Sequence, residues 1–384
     1  MEVKQIYELV NLATKEILGE ESVVAEDLSN VVDIGTAIFD ANAVDAYVRS
    51  LVNHIGKVIF VNRPYRGSAP SVLMDGWEFG AICEKIQAEL PEAEENETWE
   101  LEDGQSYDPN IFYKPVVSAK FFSKRTTFDI PCSFTEKQVK QSFSNAEQLN
   151  GFISMLYNEI DKSMTIKTDA LIMRTIDNFI AETAHAEFPG GTYTGASKTK
   201  AVNLLYMYNQ QFTQNISASD AITDKDFIRY AVYIMGVYEK RLSKVSKLFN
   251  IGGKARFTPS DLLHVILHAD FASAASVYLY SDTFHKDLVA LPAAETVPYW
   301  QGSGDDYDFD ETSAINVKTA SGDDIEFSGI IGVMFDRDAL GVTNTDRRVT
   351  TNYNAKAEFF NNWYKADAGY FNDFDENFVV FYVA

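Results

Sequence analysis

The sequence predicts an α+β fold, and three observations carry that prediction. Extended arms flank an acidic, proline-bearing interruption from Glu89 to Glu102, and beyond it Val116–Phe122 and Thr126–Ile130 are rich in branched and aromatic residues, the pattern of a long β-hairpin. Apolar residues at three- and four-residue steps then run from Leu149 to Ile180 with no proline until Pro189, the pattern of one very long helix. After a mixed α/β middle, the tail from Ile325 to Val383 reads as successive strands.

Taken in order, Ile6, Leu9, Val10, Ala13 and Ile17 lie at helical spacing and Gly19 supplies a stop. This amphipathic helix either docks on its own domain or leaves it as an arm toward a neighbour. A second helix is expected over Asn42–His54, and a β run, Lys57–Val61, stops before Pro64. Trp77, Phe79, Ile82 and Ile86 lead into the acidic stretch, which is expected to be exposed, and the arms close at Pro131. Two strands alone bury too little surface to stand in water, so this hairpin needs something to lie against.

Thr135-x-x-Gln138 and Ser144-x-x-Glu147 both fit the capping box, in which a hydroxyl and a carbonyl-bearing side chain satisfy the orphan N–H groups of a helix start. After the second box the apolar pattern implies a helix of roughly 40 residues and about 60 Å. The average is ~11 residues. No sustained heptad seam with charged flanks accompanies it, so it reads as a backbone for other elements rather than a coiled coil. Pro189-Gly190-Gly191 ends it. Helices are expected over Lys198–Phe212 and Asp224–Phe249, the second with a basic end, Lys240, Arg241, Lys244 and Lys247, suited to the negative helix C-terminus. Leu262–His268 reads as a buried strand, Ala269–Val277 as a small-residue helix and Leu291–Gly304 as a loop.

Composition bounds the function. The chain has 384 residues, enough for two or three domains with ample core and no need of disulfide or metal staples. Lys and Arg number 33 against 56 Asp and Glu, a formal charge of −23, which disfavours generic binding to nucleic acid or anionic membranes. Aromatic content of 13% is too rich for a disordered acidic protein. Cys83 and Cys132 offer neither a disulfide framework nor paired metal ligands, so a reducing compartment is expected. Neither a secretory leader nor a run of ~18 apolar residues is evident, and a soluble protein, intracellular when made and without a membrane partner, is expected.

The chemical motifs are incomplete. His264 and His268 could chelate a metal on one helical turn, with the acidic loop around Asp308 completing a metal-dependent enzyme, but Val265 stands where a zinc protease needs Glu. On a strand the two histidines would lie about 13 Å apart. Asp306-Tyr307-Asp308-Phe309-Asp310 begins like a calcium loop, yet Glu311 and Val317 occupy the turn and closing positions. Asp373, Asp375 and Glu376 likewise read as a solvated acidic loop. Gly252-Gly253-Lys254 lacks the remaining residues of a phosphate loop, and no GxSxG elbow occurs. No cofactor and no catalytic residue is therefore assigned. Lys120, Lys124 and Arg125 alternate with Phe121, Phe122 and Phe128, which suits either nucleic acid or a β arm whose basic face meets an acidic neighbour. Trp77, Lys120, Phe122, Lys124, Arg125 and Phe128 are the candidate subunit contacts.

This order of elements resembles the major capsid proteins of tailed bacteriophages, the HK-ninety-seven-type fold shared with encapsulin shells. Thr127-Phe128-Asp129-Ile130-Pro131, Phe134 and Ser144-Asn145-Ala146-Glu147 look like the junction of the extended loop and the spine helix. Leu263–Phe271 looks like the axial-domain strand and helix, and Gly329–Gly341, Asn354–Tyr364 and Phe378–Phe381 look like the closing strands. The resemblance implies an N-terminal arm over 1–62, an extended loop over 63–133, the spine helix and first part of a peripheral domain over 134–222, an axial domain over 223–328 and returning peripheral strands over 329–384. It also implies a non-enzymatic subunit, made in a bacterial host cytoplasm, that assembles as pentamers and hexamers into an icosahedral head around double-stranded DNA. A separate scaffolding protein and a portal would be its partners. An encapsulin-like compartment with enzyme cargo is the alternative within the same fold.

Overall fold

The computed structural model describes residues 3–18, 69–74, 83–91, 110–135, 146–280, 294–301, 308–356 and 359–384, together with isolated positions at 37, 46–47, 50, 93 and 104. The expected helix over 42–54 and β run over 57–61 lie outside the described residues, apart from those isolated positions, and so does the helix start marked by Gln138. The chain forms two compact units interleaved in sequence: Met1–Glu78, Lys124–Met173 and Val342–Gly369 in the first, and Phe79–Ser123, Arg174–Gly341 and Tyr370–Ala384 in the second.

The first unit opens with helix α1 (Val3–Leu18), as its spacing predicts. Its sheet uses strand β1 (Leu73–Met74), β4 (Arg125–Thr135), β11 (Leu340–Asn354) and β12 (Phe359–Asn372) in the order β1-β11-β12-β4. β4 and β12 run antiparallel from Arg125↔Gly369 to Thr135↔Phe359. The expected stop at Pro131 does not occur; Pro131 pairs with Trp363 and the strand goes on. Among the described residues β4 is an edge strand, the position where a sheet tolerates proline and its missing N–H.

The long helix, α2 (Ala146–Glu187), is continuous over 42 residues, about 63 Å at 1.5 Å per residue. It begins two residues after Ser144 and ends before Pro189, as the capping and breaking signals predict. From Leu171 to Ala184 most positions are buried, including Ile172, Ile176, Phe179, Ile180 and Ala181 at 0% exposure, and only the stripe of Arg174, Asn178 and Glu182 reaches solvent.

The second unit is built on a five-stranded sheet of β5 (Ala201–Asn203), β6 (Leu263–His268), β7 (Glu295–Val297), β10 (Ile330–Asp336) and β13 (Phe378–Tyr382), ordered β5-β13-β10-β6-β7. β10, at its centre, is buried at every position. On one face, helices α3 (Leu204–Phe212), α4 (Ala218–Ala221), α5 (Lys225–Leu242) and α6 (Ala269–Tyr280) share a core with Val265, Leu267, Met334, Val379 and Phe381. Phe335 stacks on Phe378, and Phe378 stacks on Phe179 of α2 with ring centroids 4.1 Å apart. Both faces are therefore covered, which is why β6, β10 and β13 read as apolar runs rather than alternating ones. The remaining elements are helix α7 (Phe309–Thr312) and the hairpin of β8 (Ile315–Lys318) and β9 (Asp324–Phe327).

Three expected spans are corrected here. The helix expected from Lys198 starts at Leu204, because Ala201–Asn203 pairs in parallel with β13 and the Asn203 side chain caps the helix by accepting from the Tyr206 N–H. The helix expected to reach Phe249 stops at Leu242; Ser246 then bridges Arg256, and Thr258 N–H donates to the Leu242 carbonyl. Within the expected loop from Leu291, Glu295–Val297 joins the sheet beside β6.

Asp177 of α2 is buried, and its Oδ1 has no hydrogen-bond partner among the described residues. Burial pushes its carboxyl well above the ordinary carboxylate range, so the folded chain holds a proton that the unfolded chain releases. Its contribution to stability therefore falls as pH rises above about 4. Asp177→Asn is expected to raise the melting temperature by several degrees at pH 7 and by much less at pH 4; an equal gain at both values would contradict the burial account.

Candidate assembly surface

β2 (Cys83–Ala88) and β3 (Val117–Phe122) form an antiparallel two-stranded ribbon within the second unit, paired from Cys83↔Phe122 to Ala88↔Val117. Strand alternation divides its side chains: Cys83, Lys85, Gln87, Ser118, Lys120 and Phe122 point to one face, and Glu84, Ile86, Ala88, Val117, Ala119 and Phe121 to the other.

The first face is charged and turned inward. Lys85 Nζ donates to Asp373 Oδ2 at 2.8 Å and Glu376 Oε1 at 2.7 Å, and Lys120 Nζ donates to Asp373 Oδ1 and Asp375 Oδ2, each at 2.6 Å. Gln87 Nε2 donates to Glu376 at 2.6 Å, and Arg256 Nη2 donates to Gln87 Oε1 at 2.5 Å. Just past β2, Glu89 accepts from Lys254 Nζ at 2.5 Å. Phe122 adds an apolar contact, its ring 4.9 Å from that of Phe371. The carboxylates sit on a tight turn after β12, where Gly252 N–H donates to the Phe374 carbonyl at 2.8 Å. A Cβ at position 252 would overlap the Asp375 carboxylate, so any other residue there has to displace that side chain from Lys120.

Electrostatics follow from this geometry. The Asp373 side chain is wholly buried, which alone would raise its pKa, yet the bonds from Lys120 and Lys85 outweigh burial and hold it below the ordinary range. Burial lowers the Lys120 pKa, and its bonds to Asp373 and Asp375 overcome that and raise it. Asp373 and Lys120 therefore hold one another in the charged form, and without its lysines Asp373 would remain as a buried charge.

The second face is exposed and, apart from Glu84 opposite Phe121, apolar: Ile86 is 65%, Val117 57% and Phe121 63% exposed. The described residues beyond the strands, Leu90, Ile111, Phe112, Tyr113 and Val116, continue it. Charge inside and hydrocarbon outside is the reverse of ordinary partition, and exposed apolar surface gathered in this way marks a surface that another body covers.

Of the candidate contacts named from sequence, Lys120 and Phe122 lie on the inner face and meet their own chain. Lys124 and Arg125 are exposed in the first unit, Phe128 is half-buried there opposite Ala366, and Trp77 lies outside the described residues. The acidic cluster expected to be solvated is not: Asp373 is 1% and Glu376 7% exposed. Lys85, Gln87 and Arg256 went unnoticed in the sequence, where nothing links them to residues nearly 300 positions away or on another loop. His264 and His268 lie on strand β6, and burial lowers both imidazole pKa values. Asp308 precedes α7 without a side-chain capping bond, and residues 302–307 of the calcium-like loop lie outside the described residues.

Residues 10–382 match the model of the Phi29-like phage major capsid protein family. Among solved structures, the chain is similar at 9% identity and a TM-score of 0.50 to a chain in the structure of the head fiber and inner core protein gp22 of native bacteriophage P68, covering 85% of this chain and 86% of that one. It is also similar at 10% identity and a TM-score of 0.49 to a chain of the capsid structure of Staphylococcus phage Andhra, covering 82% and 83%. No curated protein matches it.

The two shifted groups set the pH window of the inner face. Asp373, with its pKa lowered, contributes fully above about pH 4 and loses its contribution as pH falls further; Lys120, with its pKa raised, contributes fully below about pH 10 and loses it at higher values. Amide exchange in 83–88 and 117–122 is therefore expected to stay slow across that window and to accelerate on both sides of it. Lys120→Met should accelerate it at pH 7, with a cost of about 1–3 kcal/mol because Asp373, which keeps Lys85, and Asp375 each lose a charge-assisted hydrogen bond; unchanged exchange would show that the lysine does not seat the ribbon.

Proposed function

The chain belongs to the Phi29-like phage major capsid protein family, a structural and non-enzymatic class whose members form the icosahedral head of the virion, and on that premise we propose how its parts divide the work of assembly. The enzyme reading built on His264, His268 and Asp308 gives way to this membership, and so does the cargo compartment.

In this reading α2 is the spine helix and the β2–β3 ribbon, with the acidic stretch at its tip, is the extended loop spanning 63–133. Residues 1–62 form an N-terminal arm, 134–222 the spine and first part of the peripheral domain, 223–328 the axial domain, and 329–384 the returning peripheral strands. Copies join as pentamers and hexamers, with a scaffolding protein and a portal as partners, and the closed shell holds double-stranded DNA without reading its sequence. The excess of acid suits a container that must not adhere to the polymer it admits.

The observation that carries the reading is the exposed apolar outer face of the ribbon. Covering Ile86, Val117 and Phe121 with a neighbouring copy supplies the burial that two strands cannot obtain alone, at roughly 1.5–3 kcal/mol per large side chain. Lys124, Arg125, Phe128 and Trp77 are proposed as further contacts, while Lys120 and Phe122 contribute by fixing the angle of the ribbon on its own subunit.

Electron microscopy of the purified chain, alone and with its scaffolding protein, is expected to show shells, tubes or hexameric rings. Phe121→Asp combined with Ile86→Asp should abolish these particles and leave the melting temperature within a few degrees of the parent. Deleting residues 91–109 should likewise spoil assembly while sparing the subunit fold, and normal shells from either variant would refute the role given to the ribbon.

A further inference from the structure

Acids exceed bases by 23 in this chain, yet between residues 239 and 262 six bases stand against two acids. Four of the bases, Lys240, Arg241, Lys244 and Lys247, crowd the end of α5 and the turn after it, and all four are exposed. Arg241 lies over the Tyr238 ring. Lys240, Lys244 and Lys247 make no ion pair among the described residues, Lys247 having only the charge of Glu89 near it, whereas Lys85, Lys120, Lys200 and Lys254 of the same unit each hold a carboxylate. Between and beside these lysines Val245, Leu248 and Phe257 are 49%, 60% and 53% exposed. Unpaired cations interleaved with exposed hydrocarbon fit an acidic protein surface; a phosphate backbone would answer the charge and leave the apolar side chains in water.

The complementary surface lies on the same unit. Thr258 ties the basic strip to the start of β6: its N–H donates to the Leu242 carbonyl at 2.8 Å, and its Oγ1 donates to Asp336, which pairs with Leu263. The far end of β6 lies about 17 Å away at ~3.3 Å per residue. There His268 packs edge-on against Phe309, with Asp270 beside it at 3.9 Å. Asp270, Asp308, Asp310 and Glu311 are exposed at this end, and α6 and α7 contain no Lys or Arg.

We propose that copies of the chain join head to tail around a ring, the lysine strip of one second unit seating on the Asp270 and Asp308–Glu311 end of the next. The two patches differ, so the contact is heterologous and repeats until the ring closes. The proposal rests on the shell reading above and adds which surfaces meet.

Two charge-reversed variants test it. One carries Lys240→Glu, Lys244→Glu and Lys247→Glu; the other carries Asp270→Lys, Asp308→Lys, Asp310→Lys and Glu311→Lys. Each alone is expected to keep the parent far-ultraviolet circular dichroism and melting temperature but to give no rings or shells in electron microscopy or sedimentation. Mixed in equal amounts they should regain hexameric rings, in which the two variants alternate, with fewer closed shells because a five-membered ring cannot alternate. Should a reversal unfold the chain, the corresponding Lys→Gln triple is expected to weaken assembly several-fold, and no change would count against the proposal. Wild-type yields of particles from the lysine variant would overturn it, as would particles that form normally but fail to retain DNA, which would give the strip to the phosphate backbone. Folded variants that do not recover on mixing would overturn it too. A parent chain that forms no particle with its scaffold would instead bring down the shell reading and the proposal together.

Discussion

A pair of β-strands has two faces and, standing alone, must give one of them to something other than water. The β2–β3 ribbon meets this constraint in an unusual way. Its inner face is held by Lys85 and Lys120 closing on Asp373, Asp375 and Glu376, and its outer face keeps Ile86, Val117 and Phe121 in solvent. Attachment by charge leaves the hydrocarbon unspent for association. An attachment by apolar packing would have used the same side chains for intrachain stability and left the outer face with charges that a neighbour must desolvate.

How far the sequence discloses this depends on the range of the interaction. The long helix is legible because its signals are local: Ser144 and Glu147 at one end, Pro189 at the other, and apolar steps between, and it runs from Ala146 to Glu187. β6 and α6 are legible for the same reason. Errors fall where a distant partner decides. Pro131 ends a strand by propensity, but an edge position beside Trp363 makes its missing donor harmless. Ala201–Asn203 has helical neighbours and becomes a strand because β13 lies alongside. Leu242 ends its helix because the segment to Phe257 folds back through the Ser246–Arg256 bridge, although Val245 continues the apolar spacing.

The candidate assembly surface is half legible in the sequence. Phe121 and Phe122 stand out as a pair of aromatics on a β run, but which of them faces outward is set by the register Cys83↔Phe122, and that register involves a strand on the other side of the acidic stretch. The acidic turn after β12 looks like an ordinary solvated loop from its composition; only the approach of two lysines from β2 and β3 makes Asp373 a buried partner. The basic end of α5, by contrast, is plain in sequence and was assigned to the helix dipole. Its three lysines, without an ion pair among the described residues, exceed what one helix terminus needs.

One feature of the topology bears on when this subunit becomes competent to assemble. β13, the last strand of the second unit, does not lie at the margin of its sheet but between β5 and β10, with Val380 beside both Ala201 and Val333. While residues up to about 370 are emerging from a ribosome, the middle of that sheet is an open slot and the helices above it have half a floor. The core shared by α3, α5, α6 and this sheet therefore closes only when residues 378–382 take their place between β5 and β10, although those residues are the farthest along the chain from the strands they join.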